Sequence, residues 1–275
     1  MHLVITQAEL WSFLVALALS LVLTPVFMKL GLRLGITDKP DVPNEANIDG
    51  QRRRVNREVT PRTGGIAIVI AFIVSVFFFD ALTLQLRGIL VGAGIVFIGM
   101  LLDDMVDIPA FLKLLIQSVA AIVVIAFGVR VTAFTNFLHG GFFQIGIGGI
   151  ILTYFWIVGI TNALNIIDGL DGLAGGVAAL ILLAMFFFAA LKGMATMGAV
   201  LVALLGAVLG FLVFNYNPAK VFLGDAGSEF LGFMIASLSV YGAHKLPTTV
   251  MLIVSVFALG IPIAETVSSI FRRAA

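Results

Sequence analysis

The chain has 275 residues, of which 61% are hydrophobic and only 11% are charged, and its formal net charge is +1. Soluble globular domains carry roughly 25% charged residues, so this composition excludes an ordinary soluble protein and predicts an all-α, polytopic membrane protein. The absence of cysteine excludes disulfides and thiolate metal sites, and it leaves the redox compartment open.

Apolar runs in chain order predict nine transmembrane helices. The first run extends from Trp11 to Leu32, is too long for a removable signal peptide and lacks its cleavage pattern. The others mostly have the length of about 17 to 25 residues that crosses a bilayer as a helix. They are residues 64–82, 86–102, 110–129, 145–162, 173–191, 194–214, 226–243 and 246–264. We therefore expect one transmembrane domain over residues 1–275, with a single long hydrophilic loop at 33–63.

The charged residues predict the orientation of these spans. If the loop 33–63 is cytoplasmic, twelve of the sixteen Lys and Arg residues lie on the inner side, which places the N-terminus outside and the C-terminus in the cytoplasm. All of the fifteen acidic residues except Glu9 and Asp80 then also lie on the inner side. Acidic residues contribute little to orientation, so this second bias predicts a function at the cytoplasmic face.

The first acidic cluster is "LLDDMVDIP", at the end of the third span. The spacing of four predicts that Asp103 and Asp107 share one helical face, with Asp104 beside them. Adjacent carboxylates repel each other unless a cation or a proton lies between them, and Mg²⁺ is a cation that prefers oxygen ligands and substrate phosphates. The alternative is a solvated helix end.

The second cluster is "NALNIIDGLDGLAGG", residues 162–176. A spacing of three aligns Asn162, Asn165 and Asp168 along one edge of the fifth span, and Asp171 follows among glycines that let the backbone turn closely around a ligand. Because a carboxylate near lipid is costly, such groups indicate a functional site. The alternative is that these Asn and Asp side chains satisfy turns and helix caps.

Two further motifs open predicted spans. In "NYNPAKVFLGDAGSEF", residues 215–230, Gly224 and Asp225 begin the eighth span, so free backbone N–H groups are expected there and suit an anion. Asp225 is interpreted either as a metal ligand or as an N-cap. "TPRTGG", residues 60–65, opens the second span, with Arg62 able to bind a phosphate; its glycines alternatively mark a helix packing contact.

Together these clusters predict a shallow cytoplasmic site for a reaction between a water-soluble phosphorylated donor and a lipid phosphate. Two other classes of function, an ion-coupled transporter and a structural membrane protein, explain this pattern less well. An ion-coupled transporter tends to place its site near the bilayer midplane, whereas these carboxylates lie at span ends. A purely structural membrane protein gives no reason for a one-sided distribution of carboxylates.

Four motifs in order resemble the polyprenyl-phosphate N-acetylhexosamine-1-phosphate transferase family: "TPRTGG", "DDMVD", "NALNIIDGLDGLAGG" and "NPAKVFLGDAGSEFLG". The resemblance spans residues 60–232 and implies a multi-pass enzyme of the inner (plasma) membrane with its active site on the cytoplasmic face. It implies transfer of a sugar 1-phosphate from a UDP-sugar to undecaprenyl phosphate with release of UMP, and Mg²⁺ as cofactor, with Mn²⁺ as an alternative. The implied partners are these two substrates and the bilayer, with no nucleic acid; a homodimer is left open.

The resemblance also implies roles for residues. Asp225 resembles the principal metal ligand, and Asp103 and Asp104 resemble a catalytic pair that also contributes to the metal site. Whether Asp103 is a base, a nucleophile or an electrostatic element stays open. Asp171 is expected to contact the uracil of the donor. The full set of implied substrate-binding residues is Thr60, Arg62, Asn165, Asp168, Asp171, Asn215 and Gly224.

Two details concern the branch and the end of the chain. "DDMVD" and "FLGDAGS" resemble the GlcNAc-1-phosphate branch that starts teichoic acid, O-antigen and related glycans. The phospho-MurNAc-pentapeptide branch of peptidoglycan synthesis, the alternative, usually has Lys where this chain has Asp107. The family usually continues past the ninth span with a His-rich segment and another helix, whereas this sequence ends at "FRRAA" and its histidines, His2, His139 and His244, are expected outside. We therefore expect a C-terminally truncated chain that folds, binds Mg²⁺ weakly and turns over poorly.

Overall fold

The computed structural model describes residues 6–38, 59–79, 82–135 and 142–243. Two short antiparallel pairs join β1 (Thr37–Asp38) to β2 (Thr60–Pro61) and β3 (Ala133–Thr135) to β4 (Phe142–Gln144). The remaining elements are helices, so the expectation of an all-α architecture is confirmed for the described residues. They are α1 (Gln7–Leu34), α2 (Gly64–Phe79), α3 (Leu84–Val106), α4 (Ala110–Ala126), α5 (Ile147–Ile167), α6 (Leu173–Leu191), α7 (Ala195–Asn215) and α8 (Gly224–Ala243).

These helices correspond to the first eight predicted spans, and the ninth, residues 246–264, lies outside the described residues. Five of them, α1, α3, α5, α6 and α7, are long and apolar enough to cross a membrane. Gly64–Phe77 and Ala110–Ala126 are apolar but shorter. Helix α5 continues beyond the predicted run, to Ile167, so Asn165 lies inside the helix. The fold is that of a polytopic membrane protein.

The helices α7 and α8 form the centre of the bundle. Almost every residue of α8 is buried, and it packs mainly against α3 and α5, with α2 and α6 beside them. Helix α7 packs against α1, α2 and α6. The outer helices expose large apolar side chains, among them Trp11, Val91, Phe111, Phe155 and Leu180. Polar groups on α8 are therefore surrounded by protein, as is usual for ionisable residues within a membrane bundle.

Small residues set the distances between neighbouring helices. A Cβ atom on Gly206 of α7 would lie 2.5 Å from the carbonyl oxygen of Phe13 on α1. A Cβ atom on Gly232 of α8 would lie 2.8 Å from the Cα atom of Thr161 on α5. Without a hydrophobic driving force between helices in lipid, close backbone approach at small residues is a main source of packing energy.

The helices alternate in direction, so α1, α3, α5 and α7 end where α2, α4, α6 and α8 begin. Backbone hydrogen bonds join these termini: Arg62 N donates to Ile36 O (3.1 Å), and Gly64 N donates to Phe222 O (3.0 Å). We call this end of the bundle the acidic end, defined by Asp103, Asp104, Asp168 and Asp225.

Candidate active site

The acidic end brings together carboxylates from three separate helices. Asp103 and Asp104 lie in the last turn of α3, Asp168 caps the C-terminus of α5, and Asp225 lies in the first turn of α8. The sequence prediction that these groups share one side of the bundle is confirmed by this arrangement. Glu265, one of the acidic residues that the topology places on the inner side, lies outside the described residues.

Lys113 of α4 is the cation at the centre of this group. Its ammonium forms an ion pair with Asp103 and a second with Asp225, 2.8 Å from Nζ to Oδ2. The other oxygen of Asp103 accepts a hydrogen bond from the backbone N–H of Ile108 (2.9 Å). Two carboxylates from different helices therefore converge on one positive charge. Lys113 contributed to the predicted orientation and was not among the predicted site residues.

The predicted pairing of Asp103 with Asp107 on one helical face is wrong. Helix α3 ends at Val106, and Asp107 leaves it in the left-handed region with φ of 50°. Asp107 is exposed, whereas Asp103 is buried. The helical spacing fails because the chain must turn before Pro109, the residue that precedes α4.

Asp104 binds the N-terminus of α8. Its Oδ1 accepts from the N–H of Asp225 and its Oδ2 accepts from the N–H of Ala226, each at 3.0 Å. A carboxylate at a helix N-terminus satisfies orphan donors and interacts favourably with the helix dipole. The expectation that these N–H groups are free for a substrate anion is therefore wrong for these two residues. Asp104 instead holds the backbone that carries Asp225.

A glycine is required at position 224 for Asp104 to contact the start of α8. Its φ of 75° lies in the left-handed region. A Cβ atom there would also lie 2.7 Å from the carbonyl oxygen of Arg62 and 2.8 Å from Oδ2 of Asp104. The predicted substrate-binding Gly224 thus has a structural reason to be glycine, because it lets the Arg62 backbone and the Asp104 carboxylate approach the start of α8.

The predicted edge of α5 faces this group. The amide of Asn165 donates to Ser228 Oγ (3.0 Å) on α8 and also lies against the Asp225 carboxylate. Asp168 follows at the end of the helix. Burial raises the pKa of the Asp168 carboxyl well above its usual range, the charges of Asp225 and Asp104 raise it further, and Arg62 opposes them. A bound cation would favour its ionised form.

Asp171 and Asn215 join the two loops at this end. Asp171 Oδ2 accepts from Asn217 Nδ2 (3.1 Å) and from the N–H of Ala219 (3.0 Å). Asn215 is buried, accepts from the N–H of Gly172 (3.1 Å) and donates to Val221 O (2.8 Å). These contacts hold the α5–α6 connection against the α7–α8 connection. Asn215 therefore has a structural role at this end, and its implied part in substrate binding stays a prediction.

The "TPRTGG" segment lies between α1 and α8. Thr60 is buried in β2, and the half-exposed Arg62 forms an ion pair with Asp38 (3.1 Å). A Cβ atom on Gly65 would lie 2.5 Å from the Cα and N atoms of Gly227. The glycine pair therefore serves helix packing, which was the alternative interpretation, and Arg62 keeps the exposure needed to reach a phosphate.

A buried polar cluster lies one turn deeper and was missed in the sequence, apart from Asn162. Gln117 Nε2 donates to Glu229 Oε2 (2.8 Å), and Asn162 Nδ2 donates to Gln117 Oε1 (2.5 Å). The sequence feature that could have revealed this cluster is a spacing of four residues on both helices. Gln117 follows Lys113 on α4 by four positions, and Glu229 follows Asp225 on α8 by four, so each pair lies on one helical face.

The carboxylates at this end fit a hard divalent cation in their chemistry. Asp103 and Asp225 present oxygens from two helices to one position of positive charge, and Mg²⁺ is commonly held by one or two carboxylates together with substrate phosphates. Among the described residues, no three His, Cys, Asp or Glu side chains are already arranged as a metal cage. A metal at this position therefore needs oxygen ligands from water or substrate.

The model of the family described as glycosyl transferase family 4 matches residues 86–243, which is more than half of the chain. This range begins in α3 and ends with α8, so it contains the carboxylates of the acidic end and Lys113.

Individual relatives carry names from two branches. The chain is 35% identical over 263 residues to a probable undecaprenyl-phosphate N-acetylglucosaminyl 1-phosphate transferase of Bacillus subtilis, covering 95% of this chain and 71% of the relative. It is 33% identical to a phospho-N-acetylmuramoyl-pentapeptide-transferase of Geobacillus kaustophilus, covering 98% of this chain and 83% of the relative. It is 34% identical to the phospho-N-acetylmuramoyl-pentapeptide-transferase of Streptococcus thermophilus. That match covers 73% of this chain and 63% of the relative, which is less than two thirds of the relative's length. The chain belongs to glycosyl transferase family 4 and is a membrane-bound glycosyl-1-phosphate transferase.

Proposed function

We propose that this chain transfers GlcNAc 1-phosphate from UDP-GlcNAc to undecaprenyl phosphate, releasing UMP, with Mg²⁺ at the cytoplasmic face of the plasma membrane. The observation that carries the proposal is the meeting of Asp103 and Asp225, from two helices, at the ammonium of Lys113 at one end of an apolar bundle. Asp168, at the end of a third helix, lies close enough to be influenced by the charge of Asp225. A lipid phosphate can reach such an end from the bilayer, and a nucleotide sugar can reach it from water.

The proposed step is a direct displacement. An oxygen of the lipid phosphate attacks the phosphorus that carries the sugar, and the bond from that phosphorus to the bridging oxygen breaks. The bridging oxygen leaves with UMP, and the lipid becomes an undecaprenyl diphosphate sugar. A phosphate monoester with a second pKa of about 6 is already mostly dianionic at neutral pH, so the attack needs no enzyme base.

The residues of the acidic end then act through charge and position. Asp225 and Asp103 would hold Mg²⁺, which when bound neutralises charge on the phosphates. Asp104 keeps Asp225 in place through the N-terminal N–H groups of α8. Arg62 is exposed enough to bind a phosphate in place of its Asp38 partner. In this proposal Asp103 is an electrostatic element. The N–H of Ile108 holds one of its oxygens, and the other, paired with Lys113 in the structure, would exchange that partner for the metal.

The donor-binding group of the proposal consists of Thr60, Asn165, Asp168 and Asp171 with the loops that Asn215 holds together. The amide of Asn165 contacts Asp225, and the charge of Asp225 acts on Asp168, which favours a role of both residues near the donor phosphates. Asp171 remains our candidate for contact with the uracil, although one of its oxygens already holds the α7–α8 connection.

The second candidate donor is UDP-MurNAc-pentapeptide, because several relatives carry the name of that transferase. The GlcNAc donor is favoured by Asp107 at the position where the other branch usually has Lys. An ion-coupled transporter is disfavoured, because Asp103, Asp168 and Asp225 lie at helix ends and not midway along the helices.

The test is UMP release by membranes containing this chain, supplied with undecaprenyl phosphate and either UDP-GlcNAc or UDP-MurNAc-pentapeptide, in Mg²⁺ or in EDTA. We expect release with UDP-GlcNAc that EDTA abolishes. The Asp225→Asn variant should be slower by roughly a hundredfold or more, because a proposed ligand of the Mg²⁺ that would neutralise charge on the reacting phosphates is lost.

The matched control is Asp107→Asn, which removes the same charge from an exposed position at the same end and should keep the parent rate. Release that resists EDTA, or equal rates for the two variants, would contradict the proposal. A high turnover number for the parent chain would refute the separate expectation of poor turnover.

A further inference from the structure

Two polar side-chain pairs, one above the other, connect α4 to α8. The pair nearer the acidic end joins Lys113 to Asp225, and the deeper pair joins Gln117 to Glu229. On each helix the two residues are four positions apart, so both pairs lie on the facing sides of the two helices. The two helices are thus connected in a defined register along their axes.

The deeper pair is fully enclosed by protein. Gln117 and Glu229 are each only 1% exposed. The orientation of the Gln117 amide is set by Asn162, whose Nδ2 donates to Gln117 Oε1 (2.5 Å) and to Val158 O (2.8 Å). With its oxygen taken by Asn162, the amide of Gln117 presents its NH₂ group to the Glu229 carboxylate (2.8 Å).

Helix α4 packs mainly against α3 and α5, so these long side chains bridge the space between α4 and α8. The position of Lys113 relative to Asp225 therefore depends on what holds α4 along its own axis. The Gln117–Glu229 hydrogen bond lies one helical turn away from Lys113, where it can hold α4 in position along its axis.

Stability of the bundle does not account for a glutamate at this position. Burying an acidic side chain is costly, and replacing buried polar pairs with apolar residues of similar volume is often neutral or stabilising. An ionisable residue inside a membrane bundle therefore indicates a functional role, and the transfer step proposed above does not use Glu229.

We propose that Glu229 is a positioning residue of the transferase site, which through Gln117 holds α4 in the register on α8 that lets Lys113 reach Asp103 and Asp225. Its kinetic consequence rests on the proposed function. Glu229 touches no reacting atom in this role, and it acts as a hydrogen-bond acceptor for Gln117.

The first experiment measures kcat for UMP release in four variants. Glu229→Met removes the acceptor and should lower kcat by roughly ten- to a hundredfold, because small misplacements of site residues have effects of that size. Glu229→Gln keeps an acceptor oxygen for Gln117 and should stay within about threefold of the parent, since it retains the hydrogen bond.

The other two variants test the partner. Gln117→Glu places two carboxylates against each other and should lower kcat as Glu229→Met does. The double variant Gln117→Glu/Glu229→Gln restores a donor and an acceptor in the opposite direction, and its acidic side chain at position 117 can still accept from Asn162. We expect kcat to recover toward the parent value.

The second experiment measures the position of α4 without using activity. Because the chain has no cysteine, nitroxide labels can be placed at Leu115→Cys and Lys220→Cys, two exposed positions on α4 and on the α7–α8 connection. Double electron–electron resonance should show a distance distribution that shifts or broadens with Glu229→Met and returns with the double exchange. Thermal unfolding of Glu229→Met in detergent should match the parent, which separates positioning from loss of fold.

The matched control is Ser239→Ala, which removes another buried polar contact of α8, with Trp156 of α5, at a distance from the acidic end. It should leave both readouts at the parent values. Equal loss of activity in Glu229→Gln and Glu229→Met would overturn the proposal, as would no recovery in the double exchange or an unchanged distance in Glu229→Met. If the parent releases UMP from neither donor, the proposed function fails. The distance measurement still shows whether Glu229 holds α4 in its register on α8.

Discussion

At the scale of single residues, the acidic end holds more carboxylates than positive charges among the described side chains. Lys113 is shared by Asp103 and Asp225, and Arg62 is paired with Asp38. Like charges at such short range disfavour one another unless a cation lies between them. The ammonium of Lys113 supplies that cation and lies where two carboxylates can also receive a metal.

We predict that Lys113→Met increases the stabilisation of the protein by Mg²⁺, because the two carboxylates then lack their cation and bind the metal more tightly. The measurement is the thermal unfolding midpoint in detergent with and without Mg²⁺. Tenfold tighter binding would add about 1.4 kcal/mol at saturating metal.

Lys220→Met is the control for this prediction, because Lys220 is exposed in the α7–α8 connection and its loss changes the net charge equally. Its Mg²⁺ response should equal that of the parent. An equal response in Lys113→Met would show that the ammonium does not occupy the cation position.

At the scale of elements, the site depends on how closely α2 approaches α8. The N–H of Gly65 donates to Leu223 O (2.9 Å), and the Cα atoms of Gly65 and Gly227 face each other with no room for a side chain. This contact and the Asp104 carboxylate hold the first turn of α8 from two sides. The direction in which Asp225 points is therefore set by helix packing as well as by its own side-chain contacts.

We predict that Gly65→Ala lowers stability by about 1–3 kcal/mol, because the new methyl group would meet backbone atoms that cannot rotate away. UMP release should fall as well, since the start of α8 must move. Both effects are measured on the purified protein, by thermal unfolding in detergent and by the transfer assay.

Gly94→Ala in α3 is the matched control, because a Cβ atom there has nothing within 4 Å. Alanine has the higher helix propensity, so this variant should be as stable as the parent or slightly more stable. A Gly65→Ala variant that behaves like Gly94→Ala would show that the α2–α8 contact is loose in the membrane.

At the scale of the whole molecule, the alternating helices place all the described site residues at one end of the bundle. The opposite end carries the connection between α6 and α7, where Lys192 is exposed. The positive-inside prediction assigns the acidic end to the cytoplasm, which is the side on which a nucleotide sugar is available.

We predict that a membrane-impermeant maleimide applied to intact cells labels Lys192→Cys but not Lys220→Cys, and that permeabilised cells allow labelling of both. The chain without engineered cysteines is the control, because it has no thiol to react. Labelling of Lys220→Cys from outside would reverse the orientation and place the proposed site on the wrong side of the membrane for its donor.

The amino-acid sequence alone was sufficient to predict which segments form helices and which carboxylates mark a candidate site. Apolar runs of bilayer length can form little else than helices in lipid, and the structure has a helix at each of the first eight. Asp103, Asp168 and Asp225 stood out because ionisable groups beside such runs are costly and therefore functional by default. Helix direction alternates from span to span, so their meeting at one end followed from counting spans.

The pairing of these groups could not be predicted without the arrangement of the helices. Lys113 reaches Asp225 across 112 positions of sequence, and Asp104 reaches the N–H groups of α8 across 121 and 122. Such contacts depend on which helices are neighbours and on their axial register, and local periodicity contains neither. The prediction for Asp107 failed because α3 ends one residue before it, at Val106. Glu229 was missed because its partner, Gln117, lies on another helix.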